Sequence, residues 1–324
     1  MQTVVTGGAG HVGTNLVNAL LADGHEVRVV DIRPPSRPLG AQWIRADVRD
    51  EPAMRRAFSG AEVVYHLAAV ISVAGGLGGR VWSVNVDGCR SVAAAAGHAG
   101  VGRLVHCSSV HAFDLRGGQV VDESCPRAVA ADLPAYDRSK AAGEEQIRRA
   151  MERGLDAVCL NPTGIIGPED NGPSRMGTVL RAMWRRRLPA IVDGGFDWVD
   201  VRDVVSALRA AADRGLTGES YLVAGHRLSI AALATLAGVT SRTAPTWLLR
   251  SVAPAATVLA RYGGGALMPT RDALHALHAF PAVCGAKAER ELGHRPRPMA
   301  ETLADLRAHF VARGQLRIQE RDRT

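Results

Sequence analysis

Residues 4–13 read VVTGGAGHVG: a short β-branched strand, then Gly7, Gly10 and Gly13 at regular spacing, then the start of a helical pattern. Glycines let the backbone turn tightly and approach a pyrophosphate. The N-terminus of the following helix offers free N–H groups and the positive end of its dipole. Asp31 stands eighteen residues after Gly13, at the end of the second apolar run EVRVVD (26–31). A carboxylate there can accept both ribose hydroxyls of NAD and would repel the 2′-phosphate of NADP. Arg33, two residues on, could meet that phosphate instead, so NADP is the alternative and NAD the expected cofactor.

The pattern repeats outward from this turn. Strands are expected at 2–6, 26–31, 43–47, 62–68, 103–108 and 156–161, with helices at 11–23, 50–58, 80–99 and 134–153. Strand–helix alternation with Val/Ile/Leu-rich strands predicts an α/β fold: a Rossmann-type, doubly wound parallel sheet covered on both faces. After residue 160, Pro and Gly punctuate a long loop. A basic helix is expected near 174–187, strands at 188–192, 197–201 and 219–225, and a helix at 201–214. The organisation read from this is a dinucleotide-binding core over 1–165, a substrate-lobe insertion over 166–196, a return to the core over 197–225, a smaller helical substrate lobe over 226–312, and a polar, frayed tail over 313–324.

Composition narrows the function. Of 324 residues 47% are apolar and 22% charged, an ordinary globular balance. No apolar run approaches the ~20 residues that cross a bilayer; the stretch 247–262 is broken by Arg250, Pro254 and Arg261. No targeting segment is visible at the start. Five dispersed cysteines give no CxxC spacing, so no disulfide framework or metal site is expected, and a cytoplasmic location fits. The net charge of +7 is spread along the chain without a binding module, so nucleic acid is not an expected partner. His66, His106 and His111 lie on or after different strands, without carboxylate spacing, and are read as buried or cofactor-adjacent imidazoles. The arginines at 181 and 185–187 are read as a solvated helix face.

PAYDRSKAAGEE (134–145) carries the chemistry. Tyr136 and Lys140 are i and i+4 on a helix and share a face. A free tyrosine has a pKa of ~10, too high for a proton shuttle near neutrality, and a neighbouring ammonium favours the phenolate. Lysine occurs only twice, at 140 and 287, so 37 of the 39 basic residues are arginine. Its placement one turn from Tyr136 is therefore telling. Ser108 and Ser109 end the fifth strand, at the carboxyl edge where open α/β sheets bind ligands.

TGGAGHVG, Asp31, Asp47–Val48, HLAA (66–69), SVNVDG (83–88), CSSV (107–110), YDRSK (136–140), NPTGIIGP (161–168) and WVDVRDV (198–204) together resemble the extended short-chain dehydrogenases/reductases, the NAD-dependent epimerase/dehydratase superfamily. The resemblance spans residues 2–225, with weaker similarity at 288–306. It implies Tyr136 as general acid/base, Lys140 on the nicotinamide ribose, and Ser109 as the catalytic serine, with Ser108 as fallback. It also implies a cofactor site of Gly7, Gly10, His11, Val12, Gly13, Asp31, Arg33, Asp47, Val48, Leu67, Ala68, Ala69, Tyr136, Lys140 and Pro162, with Asn85 supporting the sheet edge. A homodimer through helices 80–99 and 134–153 is implied by family alone.

Three departures stand out. His11 replaces the usual aromatic or aliphatic residue, and could touch the pyrophosphate or cap the helix. VHAFD (110–114) lacks the Tyr–Gly pair typical of nucleotide-sugar enzymes. Gly164 stands where those enzymes carry an asparagine for the nucleotide diphosphate. NPTGIIGP instead resembles the dihydroflavonol-reductase-like and 3β-hydroxysteroid-dehydrogenase-like branches, and 186–204 resembles hopanoid-associated members named as sugar epimerases. The expected activity is an NAD-dependent reductase or dehydrogenase acting on a small, fairly apolar secondary alcohol or ketone, with residues 244–269 covering it. The alternatives are a nucleotide-sugar 4-epimerase or dehydratase using the same site, and a non-catalytic dinucleotide sensor.

Overall fold

A computed structural model describes residues 1–116, 120–172, 174–188, 190–240, 242–244, 251, 253–256, 270–279 and 281–317. β1 (Gln2–Thr6) leads through the glycine turn into α1 (His11–Ala22), followed by β2 (Glu26–Asp31), β3 (Gln42–Arg45), α2 (Glu51–Phe58) and β4 (Val63–His66). A long helical segment comes next: α3 (Arg80–Trp82), a π-helical turn (Ser83–Asp87) and α4 (Gly88–His98). Then follow β5 (Arg103–Cys107), a 3₁₀ turn (Val110–Ala112), α5 (Ala135–Met151) and β6 (Ala157–Pro162). With β10 (Ser220–Val223) these strands form a seven-stranded sheet of order β10-β6-β5-β4-β1-β2-β3, parallel throughout. The order reverses between β1 and β4, so the chain leaves a crevice at their carboxyl ends.

Burial explains the sequence pattern. β4 is buried along its whole length, as a strand covered on both faces must be. One face packs on Leu16, Val17 and Leu20 of α1 and Val204, Leu208 and Ala211 of α7 (Val201–Arg214). The other packs on Met54 and Phe58 of α2, Val92 of α4 and Ile147 of α5. Gly7 has φ 70°, and a Cβ on it would sit 2.7 Å from the Ala68 nitrogen; a Cβ on Gly13 would lie 2.3 Å from the Gly7 carbonyl oxygen. Both glycines are required by close backbone approach.

The second half departs from expectation in several places. NPTGIIGP contains a strand, β7 (Gly164–Ile166), which joins β9 (Gly195–Asp200) and β11 (His226–Ser229) in a three-stranded sheet. Only Ile191–Val192 of the expected 188–192 strand forms (β8), paired with β12 (Thr243–Ala244). The helix expected over 80–99 is interrupted by its π turn. Helices α6 (Arg175–Trp184), α8 (Ile230–Leu236), α9 (Arg271–Ala279), α10 (Ala286–Leu292) and α11 (Met299–Ala312) complete the described elements. Phe113, Leu180, Phe196, Trp198, Leu233, Leu303 and Phe310 form a third buried cluster, which packs C-terminal helices against residues of the core. The arginines of α6 are not simply a solvated face. Arg181 donates to Gln315 Oε1 (3.3 Å) with its guanidinium over the Phe310 ring, and Arg185 donates to the Gln315 carbonyl. The start of the expected frayed tail is correspondingly anchored, with Leu316 buried. Most of 244–269 lies outside the described residues. Among those described, no helix is long and apolar enough to cross a membrane.

Candidate active site

The first turn of α1 presents a phosphate-sized cradle. Its N-cap, Gly10, supplies no side-chain cap and no acidic residue follows in the first turn, which leaves N–H groups of the helix N-terminus available. Asp31 closes the cradle from β2: Ala9 N donates to its Oδ2 (3.2 Å) and Arg33 N to its Oδ1 (3.0 Å). Leu67, Ala68 and Ala69 leave β4 beside Gly7, and Pro162 ends β6. Glycines that admit no Cβ, an uncapped helix end and a carboxylate at the next strand tip together fit a dinucleotide.

Two of the residues expected at the cofactor make contacts within the chain. His11 neither caps α1 nor leaves its ring free toward a pyrophosphate. Its Nε2 sits 3.1 Å from the Gly167 carbonyl oxygen and 2.9 Å from that of Pro168, pinning the loop after β7 with help from Asn15. The Asp47 carboxylate is held by Arg49 (Nε 3.0 Å, Nη2 2.7 Å), and that guanidinium keeps it below the usual carboxylate pKa. Val48 is buried against Gly88. Asn85 holds the segment that leaves the carboxyl end of β4. From the π turn it exchanges two bonds with the Val70 backbone (2.8 and 3.0 Å) and donates to Ser139 Oγ (2.9 Å). Ser139 in turn donates to the Tyr136 carbonyl (2.7 Å), so the π turn steadies the start of α5.

Tyr136, Lys140 and Ser109 converge at the carboxyl end of β5. Lys140 is buried, its Nζ 3.3 Å from the Cys107 carbonyl oxygen. The Ser109 hydroxyl is near enough to the Tyr136 phenol to lower its pKa, whereas Ser108 Oγ is buried without a partner among the described residues. Loss of water around the phenol raises the Tyr136 pKa; Lys140 and the Ser109 hydroxyl pull it the other way. In the unliganded chain burial outweighs the ammonium, so the Lys140 effect read from sequence has the expected sign but is not the larger one.

Beneath this site lie groups that sequence spacing does not reveal. Glu144, one turn beyond Lys140, is buried and paired with Arg127 (2.7 Å), whose guanidinium lies 4.0 Å over the Phe113 ring. Asn161 donates both to Glu144 and to the Ser109 carbonyl (3.0 Å), tying the ion pair to the serine. Arg127→Met keeps the apolar cover of Phe113 but strands a buried carboxylate. It should lower unfolding free energy by about 2–4 kcal/mol, with Glu144→Gln restoring much of that in the double variant. A urea-midpoint loss under about 1 kcal/mol would remove this ion pair from the structural account.

His66 and His106 stack at 5.2 Å, and Cys89 Sγ approaches both Nε2 atoms (3.5 and 3.9 Å). The three ligand atoms lie within 4.8 Å of one another, a convergence the spacing of the histidines alone does not predict. Burial lowers the pKa of His66 to about 3 and that of His106 well below its ordinary value, and pushes the Cys89 thiol up to about 12. The trio is therefore two neutral imidazoles and a thiol, with the Lys140 charge nearby opposing a further cation.

Residues 3–224 match the model of the NAD dependent epimerase/dehydratase family. The chain belongs to this family. Sterol demethylase protein B of Methylococcus capsulatus is 38% identical over 234 residues, covering 71% of each chain. A putative dihydroflavonol 4-reductase of Synechocystis is 33% identical over 97% of this chain and 96% of its own length. The crystal structure of gox2253 superposes with a TM-score of 0.81 at 30% identity, over 97% of this chain and 99% of that one. These likenesses agree with the extended short-chain dehydrogenase/reductase branch and with a Rossmann core carrying a partly helical C-terminal lobe. A nicotinamide cofactor belongs to the family as a whole.

Proposed function

We propose that this chain is an NAD-dependent oxidoreductase that moves a hydride between the nicotinamide and a secondary alcohol or ketone. The observation that carries this reading is the placing of Tyr136 between the buried ammonium of Lys140 and the hydroxyl of Ser109 at the carboxyl edge of β5. A bound nicotinamide supplies the hydride acceptor or donor. The chain's residues manage the oxygen: Ser109 holds it, and Tyr136 takes the hydroxyl proton as the carbinol is oxidised, or returns it as a ketone is reduced. Lys140 stabilises the phenolate that oxidation requires.

An apolar substrate is favoured over a nucleotide sugar because of Gly164. A Cβ there would lie 2.7 Å from the Trp198 ring and 2.9 Å from the Phe196 ring. The position is covered by two buried aromatics, leaving no room for an amide that could reach a diphosphate. The two relatives, sterol demethylase protein B and the putative dihydroflavonol 4-reductase, support a ring-bearing alcohol or ketone of similar polarity. A screen following NADH absorbance over ketones, sterol-like alcohols and UDP-sugars tests the reading. Conversion of a UDP-sugar with retained NAD and no net NADH would instead establish an epimerase.

Asp31 favours NAD. We expect a KM for NADH at least about tenfold below that for NADPH, a difference of about 1.4 kcal/mol. Asp31→Asn keeps an acceptor for Ala9 N but removes the charge, so it should narrow the gap. A clear NADPH preference in the unaltered chain would sink the assignment.

A further inference from the structure

His111 follows the candidate catalytic serine by two residues and takes no part in the proton chemistry above. Its backbone N–H donates to Ser109 Oγ (3.3 Å), which places the imidazole in the 3₁₀ turn beside the reacting groups. The ring has neighbours on three sides. Its Nδ1 is buried and lies 3.1 Å from Oδ1 of Asp137, itself buried on the first turn of α5, a close polar contact that falls short of hydrogen-bond geometry. One face stacks on Phe196 (5.4 Å between centroids, 12° between planes), and its edge meets the Tyr136 ring (5.5 Å, 64°). The side chain nevertheless keeps 17% of its surface exposed. The Asp137 carboxylate beside Nδ1 favours the proton on that nitrogen, which leaves Nε2 as the polar atom able to meet a ligand.

We propose that His111, packed on Phe196 and Tyr136 beside the Asp137 carboxylate, is a specificity-determining residue whose Nε2 binds a second oxygen substituent on the carbon adjacent to the one that is oxidised or reduced. The inference deepens the oxidoreductase reading and rests on it. The rings packed against His111 are Phe196, itself backed by Trp198, and Tyr136. A polar atom set among such rings selects strongly, because a substrate lacking the matching oxygen leaves it unpaired. A hydroxyl would be met by neutral imidazole accepting at Nε2, a carboxylate by imidazolium donating from it.

Three probes share one ring: cyclohexanol, 1,2-cyclohexanediol and 2-hydroxycyclohexanecarboxylate. Their affinities are measured calorimetrically on the full chain loaded with reduced nicotinamide cofactor, NADH or NADPH, where alcohols bind without turning over. The unaltered chain should bind at least one of the substituted probes about tenfold or more tighter than cyclohexanol. His111→Ala should erase that preference while changing cyclohexanol affinity less than about threefold, and His111→Gln, which restores a polar nitrogen, should recover part of it. Which probe gains the preference identifies the oxygen as hydroxyl or carboxylate. Equal losses on all three probes, no loss on any, or no preference in the unaltered chain would each overturn the proposal. Parallel turnover assays separate the two claims. Intact discrimination without any alcohol oxidation or ketone reduction would remove the oxidoreductase reading and leave the binding role of His111 standing.

Discussion

Tyr136→Phe is expected to lower kcat by a factor of about 10²–10⁴, the usual worth of a positioned acid/base group, while cofactor affinity changes less than about threefold. The substitution is clean because the ring is what packs: its contact with His111 is retained, and only the hydroxyl that faces Ser109 is lost. Lys140 stays buried against the Cys107 carbonyl, so the cofactor side of the site is unchanged. The pH dependence has a definite sign. Oxidation consumes the phenolate and reduction consumes the phenol, so the oxidation rate should climb with pH and the reduction rate should fall. Burial holds the Tyr136 pKa above its ordinary value before cofactor binds, so the oxidation limb should still be rising above neutrality. Tyr136→Phe should flatten both limbs. Full activity in the variant, or unchanged pH limbs, would take the proton-transfer role from Tyr136.

What the sequence discloses about this molecule follows the range of the interactions concerned. Local signals are plain: alternating apolar strands, the Gly7–Gly13 turn and the Tyr136–Lys140 repeat all depend on neighbours within a few residues. They lead directly to the parallel sheet and to one face of α5. The three-stranded sheet is less visible, because Gly164 and the flanking prolines look like loop punctuation until β9 and β11 arrive from thirty or more residues away. Convergent clusters are the least visible. Cys89 reaches His66 and His106 from a helix, Arg127 reaches Glu144 across an irregular segment, and Asp137 meets His111 only because α5 starts beside the 3₁₀ turn. Desolvation is hidden in the same way. The pull of Lys140 on Tyr136 can be read from an i,i+4 spacing, but how much water the phenol loses depends on packing from several elements.

Lowering the pH from 7 to 5 is expected to destabilise the fold by about 4 kcal/mol through the two stacked histidines alone. His66 and His106 are fully buried and neutral in the folded chain, with His66 depressed to about 3 and His106 well below its ordinary value. In the unfolded chain each titrates near ~6.5. Above that pH neither state binds the extra protons and the histidines leave stability unaffected. Below it the unfolded chain takes up two protons that the folded chain refuses, so stability falls as the pH drops from about 6.5 toward the folded values, at about 1.4 kcal/mol per unit for each histidine. His309, also lowered by burial, adds in the same direction. Carboxylates held low by arginines, such as Asp47, Asp114 and Asp200, act in a different window, since their unfolded pKa of ~3.9 confines their effect to the region below about pH 5. Urea unfolding at pH 7, 6 and 5 measures the slope. His106→Leu removes one titrating ring whose Nδ1 has no partner to lose among the described residues, and should cut the histidine part of that slope by about half. A pH-independent unfolding free energy across this window would show that both imidazoles take up protons in the native core. The neutral environment assigned here to the floor beneath Lys140 would then be wrong, and with it the argument that the trio of His66, Cys89 and His106 repels a further cation.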